Sequence, residues 1–241
     1  VFVDCDDTFC MDVSQVEAAI TPRTKAIMPV QFTGEITDMP KLMEIADRHD
    51  LPVVEDACQG ILASIDDKRA GTWGIAGGFS LHPLKNLNVW GDGGVIVTDD
   101  DAVAAKLRLL RNHGLQNRDE IALLGYNSRL DTLQAIVGNW LIGDTHDITQ
   151  KRIDNGAVYD AAFAAIPQIT IPPRRDNVKR VFHLYIVFAE DRDALYDYCL
   201  EKGVEAKIHH PIPLYLQEGL DAEEKVVALK NLFYDVYNFD T

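Results

Sequence analysis

The sequence predicts an α/β protein with a mostly parallel sheet covered by helices on both faces, followed by a smaller α/β unit. In the first half, short runs rich in Val and Ile alternate with segments of helical period. Such near-continuous apolar runs are typical of strands buried on both faces of a sheet. After prolines 167, 172 and 173, a second strand–helix–strand pattern follows. The sequence therefore predicts a large domain, a connecting helix and a small C-terminal domain.

The elements of the first half follow from apolar spacing and from capping residues. Asp12 and Asp38 each precede apolar residues at helical spacing, as expected of helix N-caps. Gln15 stands three residues after Asp12, in the capping-box position. Strands are predicted at residues 25–30, 51–54, 78–81 and 95–98, and a third helix at residues 101–111.

The second half begins with a segment, residues 130–142, that is apolar on nearly all sides. Such a helix is expected to be buried or to lie at a subunit interface. A long helix is predicted over residues 148–166, followed by a strand at 182–188. A helix at 192–202, closed by Gly203, and a strand at 204–208 come next. A further helix is predicted over 221–241. The predicted domains are residues 1–146 and residues 147–241.

Composition excludes several classes of function. The 241 residues are 47% hydrophobic and carry a net charge of -15. Because nucleic acids and anionic membranes attract clustered cations, neither is an expected partner. The four cysteines show no zinc-like spacing, so free thiols in a reducing, cytoplasmic setting are expected, without a metal. The chain opens inside a strand-like run and without Met, which suggests that N-terminal residues are missing.

Asp56 is the first candidate site residue, because it follows a predicted buried strand. In parallel sheets, ligands bind at the carboxyl ends of the strands. A carboxylate there can hold a cationic group in a cleft of low dielectric constant. The alternative is structural, since Asp56 and Gln59 also have capping-box spacing and could simply begin a helix.

Lys85 is the second candidate, because a turn carrying Ser80, His82 and Lys85 follows the next predicted strand. A lysine in such a place can act as an amine nucleophile if burial lowers its pKa. The alternative is an ordinary surface lysine in a loop. Pro83 restricts the turn and favours a positioned side chain.

The remaining motifs are weaker. Asn127 and Arg129 could present hydrogen-bond donors to an anion, although Arg129 could equally be a solvated charge. The pair His209 and His210 does not indicate a metal site, because neighbouring residues on a strand point to opposite faces. No nucleophile elbow is present.

Together, the acidic strand end, Ser80, Lys85 and Gln59 fit the chemistry of pyridoxal 5'-phosphate (PLP). A lysine amine can bind the aldehyde of this cofactor and move a proton. A carboxylate can keep the pyridine nitrogen protonated, so that the ring withdraws electrons, and a serine can donate to the phosphate.

Four ordered motifs carry a resemblance to a known family. They are E-D-A-x-Q, which begins at residue 55 and has Cys58 as its variable position, F-S-x-H-P-x-K-N-L from 79, G-D-G-G-x-x-x-T from 91 and G-Y-N-x-R-L-D-x-x-Q-A from 125. This pattern, with H-L-Y at 183, closely resembles the DegT/DnrJ/StrS sugar aminotransferases, which are PLP enzymes of the three-layer aspartate-aminotransferase fold. The match runs from residue 1 to about 216.

The resemblance implies a role for each matching residue. Lys85 would bind the cofactor covalently, Asp56 would pair with its ring nitrogen, and Gln59 would bond its phenolic oxygen. Ser80 would contact the phosphate. Asn127 would reach the cofactor of a neighbouring subunit, so a homodimer with shared sites is expected. Loss of Lys85 is expected to be the most damaging substitution, because it removes both the anchor and the proton carrier.

Two positions depart from the family pattern, and one segment is absent. Cys58 stands where the family usually has Ala, under the cofactor ring, and Trp90 is bulkier than the residues common before G-D-G-G, so it is expected near the substrate pocket. The family's N-terminal third, with a phosphate loop and a ring-stacking aromatic, is not in the chain.

The function implied by the resemblance is transfer of an amino group from glutamate to a keto-sugar, yielding 2-oxoglutarate. The acceptor would be a nucleotide-linked keto-sugar or 8-keto-3-deoxyoctulosonate, in amino-sugar, lipopolysaccharide or other surface polysaccharide biosynthesis. Two alternatives remain: a sugar dehydratase of the same fold, against which Lys85 argues because dehydratases carry His there, and a non-catalytic regulatory protein.

Overall fold

The structure is a computed structural model that describes residues 1–213 and 216–218. Its helices are α1 (Val16–Ala19), α2 (Met39–Arg48), α3 (Asp101–Leu110), α4 (Thr132–Leu141), α5 (Thr145–Phe163) and α6 (Arg192–Glu201). Its strands are β1 (Val54–Asp56), β2 (Ser64–Ile65), β3 (Lys68–Arg69), β4 (Ala76–Ser80), β5 (Gly94–Val97), β6 (Ile169–Thr170), β7 (Val178–Lys179) and β8 (Phe188–Ala189).

The central sheet has the strand order β1-β4-β5. β1 and β4 run parallel, with Asp56 opposite Gly78, whereas β5 is antiparallel to β4. Residues 27–30, predicted as a strand, run parallel to β1 on its other side through two isolated bridges. Three parallel segments therefore end on the same side of the sheet. We call this side, marked by Gln31, Asp56 and Ser80, the carboxyl edge.

The main core packs α1 and α2 against the sheet and the segments that flank β1. Asp38 caps α2 by accepting from the Lys41 N–H at 3.4 Å, as its residue type predicts. The helix then buries the predicted apolar face, Leu42, Ile45 and Ala46. The core also contains Val53 of the chain leading into β1. The helix is thus fixed against the strands that build the carboxyl edge.

A second, smaller core lies under the turn that follows β4. Leu81, Leu87 and Val89 are buried there against Val137 of α4. Because apolar residues on both sides of the turn are buried, its conformation is set by packing as well as by Pro83. This core leaves the opposite face of α4 exposed.

Residues 174–184, which we call the return segment, come back to the first half of the chain after α5. β7 pairs antiparallel with β2, and Val181 is fully buried in the main core. Glu35, 1% exposed, accepts from Arg175 Nη2 and Arg180 Nε, each at 2.6 Å. The division at residue 146 stays a prediction, and these contacts cross it.

Three expectations for the second half need comment. The strand predicted at 182–188 does not form as such, because Phe182 has a positive φ of 47° and only Phe188 enters a strand, β8. Residues 204–208 are not assigned to a strand, although their composition favours one. The helix predicted over 221–241 lies outside the described residues.

Candidate active site

The carboxyl edge brings three of the predicted site residues to one side of the sheet. Asp56 is the last residue of β1, and Ser80 is the last residue of β4. Because the two strands are parallel neighbours, their ends lie side by side. Lys85 follows Ser80 by five residues, and all three side chains are half-buried. This is the juxtaposition that the sequence predicts.

The backbone of Lys85 is held in a closely bonded turn. Its N–H donates to the carbonyl of His82 at 2.8 Å, and its own carbonyl accepts from Asn88 Nδ2 at 3.0 Å. Asn86, which is 2% exposed, donates from Nδ2 to the carbonyl of Val181 at 3.1 Å. The return segment therefore supports the turn that carries the lysine, a support that the sequence does not reveal.

Cys58 connects the carboxylate with the amine. Its backbone N–H donates to Asp56 Oδ1 at 3.0 Å. Burial, and then the hydrogen bond and charge of Asp56, raise the pKa of the Cys58 thiol to about 11, while the charge of Lys85 opposes that shift. Both charged groups therefore lie near the Cys58 thiol. The thiol is protonated at neutral pH and is a poor nucleophile there.

Gln59 is oriented by the backbone of Thr33. Its Oε1 accepts from the Thr33 N–H at 2.7 Å, which assigns the amide orientation. Thr33 has φ 60° and ψ 0°, a conformation that a β-branched residue rarely adopts. With its oxygen engaged, the amide has its NH₂ group left to donate to a ligand.

Ser80 and His82 interact within the turn. Ser80 Oγ accepts from the His82 N–H at 3.2 Å, so the hydroxyl proton remains available for donation. His82 Nδ1 in turn accepts from the Leu84 N–H at 3.3 Å. The imidazole of His82 thus stabilises the turn, which gives this residue a structural role that the motif alone does not provide.

Asn127 lies apart from these residues. It is exposed, forms a bridge with Asn112 and accepts from Arg129 Nε at 3.1 Å. Among the described residues, no hydrogen bond joins Asn127 to Asp56, Gln59, Ser80 or Lys85. Trp90, expected near the substrate pocket, is 74% exposed. Both side chains are open to a second chain or a ligand.

Glu55 is a site-supporting residue that the sequence analysis missed. Its side chain, 1% exposed, accepts from Gln31 Nε2 at 2.9 Å. The same carboxylate accepts three backbone N–H groups of one loop, those of Gly71, Trp73 and Gly74. Because side chains alternate along a strand, burying Glu55 on one face turns Asp56 to the other. The E-D pair was visible in the sequence, but the loop that binds Glu55 was not.

The donor set of the carboxyl edge fits PLP. Asp56 offers a carboxylate acceptor for a ring N–H, Gln59 an amide donor for a phenolic oxygen, Ser80 a hydroxyl donor for a phosphate and Lys85 an amine for an aldehyde. Within residues 1–213 and 216–218, no group of three or more His, Cys, Asp or Glu side chains could hold a metal ion. None of the helices in this part of the chain is long and apolar enough to cross a membrane.

Comparison with known sequences gives a family match. Residues 1–231 match the model of the DegT/DnrJ/EryC1/StrS aminotransferase family. A pleiotropic regulatory protein of Geobacillus stearothermophilus is 41% identical over 220 residues, which cover 90% of this chain and 59% of the relative. A dTDP-3-amino-3,4,6-trideoxy-α-D-glucose transaminase of Streptomyces venezuelae is 37% identical, over 90% of this chain and 58% of that protein.

Solved structures agree with this match. DesV of S. venezuelae superposes with a TM-score of 0.91 at 34% identity, over 99% of this chain and 64% of its own. NtdA of Bacillus subtilis, solved with its cofactor PMP bound, gives a TM-score of 0.86 at 30% identity, over 98% of this chain and 55% of its own. The chain therefore spans less than two thirds of the length of each protein it matches here.

Proposed function

Because the chain belongs to the DegT/DnrJ/EryC1/StrS aminotransferase family, we propose that the whole protein is a PLP-dependent transaminase that moves an amino group from glutamate to a keto-sugar. The family and the PMP-bound neighbour support the cofactor. The observation that carries the proposal is that Asp56 ends β1, while the turn of Lys85 follows the end of β4, its parallel neighbour. A carboxylate and an amine so arranged can grip opposite parts of one ring.

Each residue of the carboxyl edge then has a distinct task. Lys85 binds the cofactor covalently and carries protons between substrate atoms. Asp56 accepts a hydrogen bond from the ring nitrogen and holds its proton in place, a charge-assisted contact of about 1.5–3 kcal/mol. Gln59 donates to the phenolic oxygen and Ser80 to the phosphate. When bound, PLP supplies an aldehyde that accepts the amino group and a ring that withdraws electrons.

A second copy of the chain completes the proposed site. Asn127 is exposed and not bonded to the other site residues of its own chain, which suits a residue that reaches the phosphate in a neighbouring subunit. We therefore propose a homodimer with shared sites as the functional unit.

The proposed acceptor is a nucleotide-linked keto-sugar. Relatives are named as transaminases of dTDP-linked and UDP-linked amino sugars, at 37% and 39% identity. These names favour a nucleotide-linked acceptor over free 8-keto-3-deoxyoctulosonate. We propose that the reaction serves cytoplasmic amino-sugar synthesis for surface polysaccharides such as lipopolysaccharide.

The proposal is tested by trapping the bond between Lys85 and the cofactor. The full-length protein is incubated with PLP, reduced with borohydride and digested, and the peptide masses are measured. A pyridoxyl mass on Lys85 is expected, absent from a Lys85→Ala variant and retained by Lys106→Ala, which removes an exposed lysine of α3. Mass spectrometry should also detect an amino sugar formed from glutamate and dTDP- or UDP-linked keto-sugars. A reduced protein without label on Lys85 would favour the dehydratase.

A non-catalytic regulator is the second candidate, because the 41% identical relative is named as a regulatory protein. The two functions differ in their response to an amino donor. A transaminase loses its visible cofactor absorbance on addition of glutamate, whereas a regulator without bound PLP has no such band. A full-length protein that binds no PLP would therefore support the regulatory function.

A further inference from the structure

His183 lies between two contacts that reach the candidate site. On one side, the carbonyl of Val181 accepts from Asn86, the residue that follows Lys85. On the other side, the Leu184 N–H donates at 3.3 Å to the carbonyl of Thr33, the residue that orients Gln59. Residues 181–184 therefore span from the lysine turn to the glutamine. His183 stands in the middle of this span.

The backbone at His183 is fixed from two directions. Arg152 of α5 donates from Nη1 to the carbonyls of Phe182, at 3.2 Å, and His183, at 3.3 Å. Gly34 also approaches this backbone so closely that an added Cβ would lie 2.8 Å from the His183 nitrogen. A backbone held in this way limits the positions that the ring can take, as a group that contacts a substrate requires.

The charged surroundings keep the ring neutral. Burial, followed by the charges of Lys85, Arg152 and His209, lowers the pKa of His183 to about 4. Nδ1 is buried and has no hydrogen-bond partner in the described part of the chain. A buried N–H without a partner costs more than an unused lone pair, so the proton belongs on Nε2. His183 is thus a neutral imidazole that can donate through Nε2.

We propose that His183 is a further catalytic residue, whose Nε2–H donates a hydrogen bond to the carbonyl oxygen of the keto-sugar held at Lys85. This inference rests on the proposed function and names the residue that polarises the acceptor. A neutral imidazole can polarise a carbonyl without giving up its proton, because its second ionisation lies far above neutral pH. The interaction is a hydrogen bond and includes no covalent step.

A neutral donor discriminates between the two substrates. The carboxylates of glutamate attract cations such as Arg or Lys, whereas a sugar carbonyl is served by an uncharged donor. Loss of His183 should therefore affect the acceptor half-reaction and spare the glutamate half-reaction. A merely structural role would slow both alike.

The test measures the two half-reactions of the full-length holoenzyme separately, by stopped-flow absorbance with glutamate and with a dTDP- or UDP-linked 3-keto-sugar. His183→Phe should lower kcat/KM for the keto-sugar about 100-fold, as expected for loss of one donor to a reacting oxygen. The kcat/KM for glutamate should not change. His183→Gln should keep most of the rate, since its amide nitrogen can replace Nε2. His183→Asn should behave like Phe, because its nitrogen reaches only the place of Nδ1.

A matched control and an independent readout separate the outcomes. His146→Gln, at an exposed position of α5, should change neither half-reaction. In ¹⁵N NMR of the wild-type apoprotein, the His183 ring should show the Nε2–H tautomer and no titration above pH 6. An Nδ1–H tautomer, or equal loss in both half-reactions, would overturn the inference alone. A wild-type protein that does not react with glutamate would overturn the proposed function instead.

Discussion

At the scale of single residues, the neighbours Glu55 and Asp56 have different roles: Glu55 stabilises the fold and Asp56 faces the candidate site. Strand alternation turns Glu55 inward, where four N–H groups satisfy its carboxylate. The described contact of the Asp56 side chain is with the Cys58 N–H, which leaves acceptor capacity for a ligand. The sequence predicts the Asp56 site from its strand end. It does not predict the role of Glu55, because the partners come from a loop that only the folded chain brings close.

Replacing Glu55 with Ala should destabilise the protein strongly. The change leaves the buried N–H groups of Gly71 and Trp73 without acceptors, and each such loss costs about 1–3 kcal/mol. We expect the free energy of unfolding to fall by at least about 2 kcal/mol in urea denaturation, whereas Glu44→Ala, an exposed position of α2, should change it little. Equal stability of the two variants would contradict the assigned role of Glu55.

The neutral state of His183 should make stability depend on pH. Its pKa is about 4 in the folded protein, against 6.5 for an ordinary imidazole. The unfolded chain therefore binds more protons between these values, so stability present above pH 6.5 is lost as the pH falls toward 4. Unfolding free energies measured across this range should fall more steeply for the wild type than for His183→Gln. His146→Gln should keep the wild-type slope, and parallel slopes for all three would refute the prediction.

At the scale of elements, α5 supports the site through the return segment. The ring of Phe182 packs on Gly156 so closely that an added Cβ would lie 2.8 Å from two ring atoms. Arg152, one turn earlier, binds the Phe182 carbonyl. α5 thus helps to fix the position of the segment that carries His183.

The contact of Gly156 with Phe182 can be tested against Gly143, which lies in the short 3-10 turn between α4 and α5. Gly156→Ala should displace the ring and lower the free energy of unfolding by about 1–3 kcal/mol, the range for overpacking. Gly143→Ala is the matched control, because a Cβ there meets nothing within 4 Å. It should leave stability unchanged or raise it by up to about 1 kcal/mol. A Gly156→Ala protein as stable as Gly143→Ala would show that the Phe182 ring can move aside without a loss of stability.

The predictability of the elements follows the range of their contacts. The helices α3, α5 and α6 lie within a few residues of their predicted bounds, since local spacing specifies them and Asp side chains cap α3 and α6. Strand pairing depends on distant partners, so the strands predicted at 182–188 and 204–208 were wrong. The same applies to the site: the strand ends at Asp56 and Ser80 were visible in the sequence, but their support by Asn86 and Glu55 was not.

At the scale of the whole molecule, two apolar surfaces are exposed, one on α4 and one on β5. Leu133, Ile136 and Trp140 share one face of α4 and are 56%, 60% and 73% exposed. All four residues of β5 are exposed as well. The sequence predicts that the helix is buried or at a subunit interface, and apolar faces of this kind mark protein contacts. We expect the face of α4 to be covered in the proposed homodimer.

The dimer prediction can be tested on this face of α4. Trp140→Glu in the full-length protein should place a charge in the contact and shift sedimentation velocity profiles from dimer to monomer. Tyr198→Glu, at a similarly exposed aromatic of α6, should leave the profile unchanged. A dimer that tolerates Trp140→Glu would assign the contact to another surface.

The pairing of Glu35 with Arg180 also has a consequence for biosynthesis. The two residues are 145 positions apart, so at ~5–20 residues per second the ribosome adds the second guanidinium roughly 7–30 s after the glutamate. During that interval the nascent polypeptide carries an acid without its counter-ions. Nascent chains are therefore expected to bind the vitamin B6 cofactor only after Arg180 has left the ribosomal exit tunnel, and not when Lys85 emerges.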